Sequence, residues 1–161
     1  MQAPVAEKFH IFASGCNYLL SRTVRDTGIN RKRAEALYYV YRRGLAEGRF
    51  ATMYEAAKWC VRQPSPYFYI SSKRASILVG KLLAGEPLSK FHSSTRRMAR
   101  RLHADYLRYL EEHPDNTLSR ERIMELLVDR PAPEFYISSE RARKILREER
   151  KRRRKRIAWL V

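Results

Sequence analysis

The residues best suited to chemistry occur twice. Residues 64–75 read Pro-Ser-Pro-Tyr-Phe-Tyr-Ile-Ser-Ser-Lys-Arg-Ala, and residues 131–142 read Pro-Ala-Pro-Glu-Phe-Tyr-Ile-Ser-Ser-Glu-Arg-Ala. Nine of the twelve positions are identical, at an offset of 67 residues. The prolines stop any helix that runs into them, because proline lacks the amide hydrogen and pushes the residue before it toward extended geometry. The serine pair then supplies an N-cap for a new helix. A helix start presents unsatisfied N–H groups, and with a serine hydroxyl and an arginine beside it becomes a phosphate site. Ser72 with Arg74, and Ser139 with Arg141, are the candidate donors. A structural role fits the same residues: prolines that break a helix, Phe68 and Phe135 in a core, serines that only cap. Tyr69 and Tyr136 either stack on bases or sit half-buried.

Three further clusters are basic. Residues 20–39 read LSRTVRDTGINRKRAEALYY. Val24, Gly28, Ile29, Ala34 and Leu37 fall where a small or apolar residue, a turn glycine and core positions are wanted, so the segment resembles the helix-turn-helix class in general. That resemblance implies that Asn30 caps a second helix and that Arg31, Lys32 and Arg33 occupy its first turn, where recognition helices meet the major groove. Arg96, Arg97, Arg100 and Arg101 open a later helix, and like charges at i,i+4 repel unless an anion is near. The last cluster is the longest. Residues 140–156 hold eleven Lys or Arg against three acids, and Arg150, Lys151, Arg152, Arg153, Arg154, Lys155 and Arg156 are consecutive. Such a run contacts phosphate backbones, either as a solvated basic helix or as a frayed tail. Ile157, Trp159, Leu160 and Val161 follow it and call for a docking surface on this chain, on a second copy or on a protein partner.

Catalytic motifs are thin. The histidines are His10, His92, His103 and His113, and none sits at a metal-ligand spacing or beside a nucleophile in an elbow-like turn. Cys16 and Cys60 have no CxxC neighbour and read as buried thiols of a reducing compartment. No phosphate-loop, dinucleotide or paired-carboxylate motif appears. The expectation is a non-enzyme with neither cofactor nor metal.

The 67-residue offset extends beyond the motif to the elements that hold it. Tyr39 and Val40 fall on Tyr106 and Leu107, Thr52 on Ser119, and Ala56, Trp59, Cys60 and Val61 on Ile123, Leu126, Leu127 and Val128. The duplicated segment covers roughly 32–80 and 99–146. Each copy reads as helix, helix, PxPxFYISS and helix. Leu37, Tyr41 and Leu45 mark the first helix, which Gly48 can end. Thr52 and Glu55 form a capping box for the second, whose apolar stripe is Met53, Ala56, Ala57, Cys60 and Val61. Ala75, Leu78, Val79 and Leu82 carry the third, which stops near Gly85 and Pro87. The predicted architecture is all-α: two tandem related three-helix units, an N-terminal helix and a basic C-terminal helical tail. Its parts are 1–85 with the first unit, a linker over 86–95, and 96–161 with the second unit and the tail.

Whole-chain composition sets the partner. The 161 residues are 44% hydrophobic, enough for a core, and carry 34 Lys and Arg against 17 Asp and Glu, a formal net charge of +17. A folded chain that basic repels itself unless something anionic lies alongside. The chain start lacks the charged-then-apolar order of a signal peptide, and no stretch approaches a membrane span. The expected location is the cytoplasm, nucleoid-associated or in an infected cell. The expected function is nucleic-acid binding, DNA before RNA, through phosphate contacts with groove reading by the helix-turn-helix. A regulator or accessory factor of a phage or mobile element fits it. The alternative is an assembly factor that binds RNA or protein, its tail threading into structured RNA.

Overall fold

The computed structural model describes residues 25–158, with side chains from 28 to 155. Six helices form: α1 Arg25–Ala46, α2 Met53–Val61, α3 Ser72–Leu83, α4 Ser93–Glu112, α5 Arg120–Val128 and α6 Ser139–Ala158. No strand occurs among the described residues, which are all-α. Among them, too, no helix is long and apolar enough to cross a membrane.

Local sequence explains most boundaries. Thr52 caps α2, accepting from the Glu55 amide at 3.2 Å while the Glu55 carboxylate accepts from the Thr52 amide. The Glu55 carboxyl is held below its ordinary range by the backbone amides of Ala51 and Thr52. Ser119 caps α5, at the position the repeat assigns to Thr52. Gly48 and Gly85 follow α1 and α3 with φ of 65° and 71°, the left-handed conformation that closes helix ends. The offset of 67 carries Met53–Val61 onto Arg120–Val128 and Ser72 onto Ser139. It also carries the buried positions: Ala56, Ala57 and Cys60 correspond to Ile123, Met124 and Leu127.

One sequence expectation fails at the backbone. The helix-turn-helix reading puts a turn at Gly28 and a new helix at Asn30. Instead α1 runs through Gly28, Ile29 and Asn30 without a break. Gly28 has no positive φ, and a Cβ there would meet nothing within 4 Å. One glycine costs a helix only about 1 kcal/mol, too little to end α1. The first helix of the expected motif lies mostly outside the described residues.

The helices do not group in chain order. α1 and α2 pack with α6, while α4 and α5 pack with α3. Among the described residues, α3 makes no helix contact with α1 or α2, and α6 makes none with α4 or α5. Each group therefore takes its third helix from the other copy of the repeat. The exchange happens where the two Pro-x-Pro segments cross. Ser65 and Ala132, equivalent positions, pair antiparallel through amide-to-carbonyl bonds of 2.9 and 2.8 Å. Beyond the crossing, the Phe68 amide donates to the Val128 carbonyl and the Phe135 amide to the Val61 carbonyl, both at 3.1 Å. These pairs also interchange under the 67-residue offset, as a pseudo-twofold axis requires.

The crossing decides which side chain enters which core. Phe68 and Ile70 join the core of α3, α4 and α5, whereas Phe135 and Ile137 join that of α1, α2 and α6. Tyr69 and Tyr136 do the opposite and stay with the helices of their own copy. Their backbones have φ of 44° and 49°. Such a conformation costs a non-glycine residue about 1–3 kcal/mol. Each ring stacks on the phenylalanine arriving from the other copy: Phe68 on Tyr136 at 5.8 Å and Phe135 on Tyr69 at 6.1 Å between centroids. Each stack offsets part of that strain, at about 0.5–1.5 kcal/mol beyond the buried area.

Candidate nucleic-acid interface

Proline breaks and serine caps bring the two repeated motifs to the same place. The capping side chains are Ser71 and Ser138, one residue before those expected to hold phosphate. They accept from the amides of Arg74 and Arg141 at 3.3 and 3.2 Å. The starts of α3 and α6 open on one cavity of about 600 Å³, walled in part by Arg33, Arg74 and Arg141 together with Ser71 and Ser138. Asn30 and the α4 residues Ser94 and Thr95 line it too. Ser139 lines an adjoining cavity of about 450 Å³ with Lys58 and Arg62, while Ser72 lines neither. Thus Arg74 and Arg141, placed in separate units by the sequence, share one site.

Arg33 is not the exposed recognition residue that the sequence suggests. Its Nη2 donates to the Tyr69 carbonyl at 2.8 Å, and its guanidinium lies over the Tyr69 ring. Its Nε is buried with no partner. Burial pulls its pKa below the ordinary arginine value, and nearby Arg141 adds to this. Arg31 is exposed but paired with Glu35 at 3.0 Å, and Lys32 is exposed.

The cluster that opens α4 divides in two. Arg97 bonds Glu134 at 2.8 Å and Arg101 bonds Asp105 at 3.0 Å. Arg100 is exposed and Arg96 half-buried, and neither has a carboxylate partner among the described residues. The C-terminal run divides the same way. α6 stays helical to Ala158 rather than fraying into a tail. Its inner face continues past Leu146 with Glu149, which is 6% exposed. Arg152 bonds Glu149 at 2.8 Å and approaches Glu35 on α1, while Arg153 lies 4.4 Å from the Tyr38 ring centroid. Both are therefore packing residues against α1, and not free contacts for a ligand. Lys144, Arg147, Lys151, Arg154 and Lys155 are exposed on α6 and carry no ion pair among the described residues. Arg150 is half-buried. The side chains of Arg156 and Ile157, and residues Trp159, Leu160 and Val161, lie outside the described set.

Tyr69 and Tyr136 are 8% and 9% exposed, so they are core rings without a face for bases. Burial raises the Tyr136 phenol to about 12 and pushes Tyr69 up further. Among the described residues, no group of three His, Cys, Asp or Glu is placed to hold a metal ion. Sequence reasoning missed Lys58, Arg62, Ser71, Ser138 and His92, which belong to four different helices or their caps. The serine pair was the signal for Ser71 and Ser138; nothing local marks the others. No protein-family model, curated protein or solved structure matches the chain.

Proposed function

We propose that the protein binds nucleic acid, duplex DNA before RNA, through its phosphate backbone and without catalysis. One observation supports this most: the exposed stripe on α6. Lys144, Arg147, Lys151 and Arg154 recur at helical spacings of three and four, with Lys155 beside them and Glu148 the acid within the stripe. Lys144 to Arg154 spans about 15 Å along the helix axis. Like charges so arranged repel one another. Counterion release from phosphates is the interaction that reverses that penalty. A continuous α1 removes the argument for a groove-reading helix, so the reading is an accessory, backbone-directed binder and not a site-selective regulator.

Fluorescence anisotropy of labelled duplex DNA, single-stranded DNA and hairpin RNA across a salt series tests it. The expected result is tightest binding to duplex, with log K falling by about 0.9 per phosphate neutralised for each tenfold rise in salt. Replacing Lys151, Arg154 and Lys155 by alanine then weakens binding to all sequences alike and flattens that slope. A clear preference for hairpin RNA redirects the reading to the RNA-assembly alternative. No binding at low salt ends it.

A further inference from the structure

The cavity at the crossing has a charge that the α6 stripe does not explain. Arg33, Arg74 and Arg141 face it from three helices, and among the described residues no Asp or Glu lies in its wall. None of the three has a carboxylate partner among the described residues. Arg33 and Arg141 are close enough to repel, and the buried Nε of Arg33 lacks an acceptor. α3 has no acid in its first turn, where Lys73 and Arg74 oppose its dipole. Arg74 and Arg141 are exposed and Arg33 is held by the Tyr69 carbonyl, so the three guanidiniums set around one recess a positive charge that a bound anion offsets. The recess holds about 600 Å³, within the size range of small-ligand sites.

Resting on the nucleic-acid reading, we propose that this cavity binds a phosphate monoester, carried on the end of a nucleic-acid strand or on a free nucleotide. A monoester carries about −1.5 to −2 at pH 7 against the single charge of a diester, and so better matches three guanidiniums. The site lies in a recess bounded by the starts of α3, α4 and α6 and by α1. The adjoining cavity shares His92, Ser94, Ile137 and Ser138 with it and adds Lys58 and Arg62 beside the Arg97–Glu134 ion pair. It continues the basic path along which a strand would leave.

Calorimetric titration of the full chain with a 5′-phosphorylated tetranucleotide, and with its 5′-hydroxyl counterpart, tests the proposal. The phosphorylated strand should bind about tenfold tighter or better, since charge-assisted bidentate contacts are the strong ones. That advantage should shrink as pH falls below about 6, where the monoester takes up a proton. Inorganic phosphate should compete it away in the wild-type chain, a measurement that needs no variant. The double variant R74Q/R141Q should abolish it. Both serine caps remain in that variant, and its thermal melt checks the fold. Adenosine 5′-monophosphate binding as tightly as the phosphorylated strand assigns the site to free nucleotides; much weaker binding assigns it to strand ends. Equal affinity for the two tetranucleotides, or an advantage that survives in a folded R74Q/R141Q chain, overturns the proposal. Duplex binding that fails while the monoester advantage stands overturns the function proposed above and leaves this site in place.

Discussion

At the scale of single residues, the cores hold groups that ionise only at a cost. Cys60 is fully buried in the α1–α2–α6 core, and burial raises its thiol to about 12 from an ordinary 9.0. Tyr136 is raised to about 12 and Tyr69 moves in the same direction. A group whose folded pKa is raised contributes fully below its unfolded pKa and loses that contribution as pH climbs toward the folded value. Stability should therefore hold to about pH 9, then fall between 9 and 12, first through Cys60 and then through the tyrosines. Urea midpoints at pH 8, 9.5 and 10.5 check this. In C60A the fall should begin nearer pH 10, and an identical profile in C60A would exclude the thiol as its source. The same residue scale explains why charge counting overstated the interface. Arg33, Arg97, Arg101, Arg152 and Arg153 all have intramolecular partners, carboxylates, a backbone carbonyl or an aromatic ring, that spacing alone could not reveal.

At the scale of elements, two glycines in α1 show how the same residue type serves opposite ends. Gly44 is a packing glycine: a Cβ there would come within 2.6 Å of Phe50 and 2.7 Å of Trp59. Gly28 has open space around it and no special backbone conformation. G28A should therefore stabilise α1, by up to about 1 kcal/mol, through helix propensity. G44A should cost about 1–3 kcal/mol through overpacking of two rings. Chemical denaturation of the two variants gives the comparison. A destabilising G28A would restore the turn that the helix-turn-helix pattern called for. The patterns that did announce their elements were those with a local cause. The capping box at Thr52–Glu55, the serine caps, the C-terminal glycines and the proline stops act within a few residues, so each is visible in the chain itself. The unbroken course of α1 through Gly28 was not visible in that way, whereas the helical course of the basic C-terminal run was expected and α6 follows it to Ala158.

At the scale of the whole molecule, the exchange of α3 and α6 ties the two copies together. Neither α1–α2 nor α4–α5 covers its core with the helix that follows it in the chain. Separating the copies should therefore expose both cores. A fragment of residues 1–90 should be poorly helical or self-associating, and should recover native-like melting when mixed with residues 91–161. Circular dichroism of the mixture against the sum of its parts reads this out, with sedimentation for the association state. A fragment 1–90 that melts cooperatively as a monomer would show that α3 can fold back on its own copy. The crossing also sets the candidate site. Arg74 and Arg141 stand 67 residues apart in the chain, and they share a cavity because the two motifs run antiparallel past each other.

By itself the sequence determined the helical class, the duplication, most helix ends and the burial of Phe68 and Phe135. All of these follow from interactions over a few residues or from periodicity. It also established the basic excess that motivates an anionic partner. Tertiary structure alone decided which third helix covers which core, which arginines are spent on carboxylates and carbonyls, and that the two repeated motifs line one recess. Those outcomes depend on contacts between positions tens of residues apart. A short local pattern is equally satisfied by folding back on its own copy or by crossing to the other. Only the packing of Phe68 and Phe135 into opposite cores, and the pairing of Ser65 with Ala132, distinguishes the two.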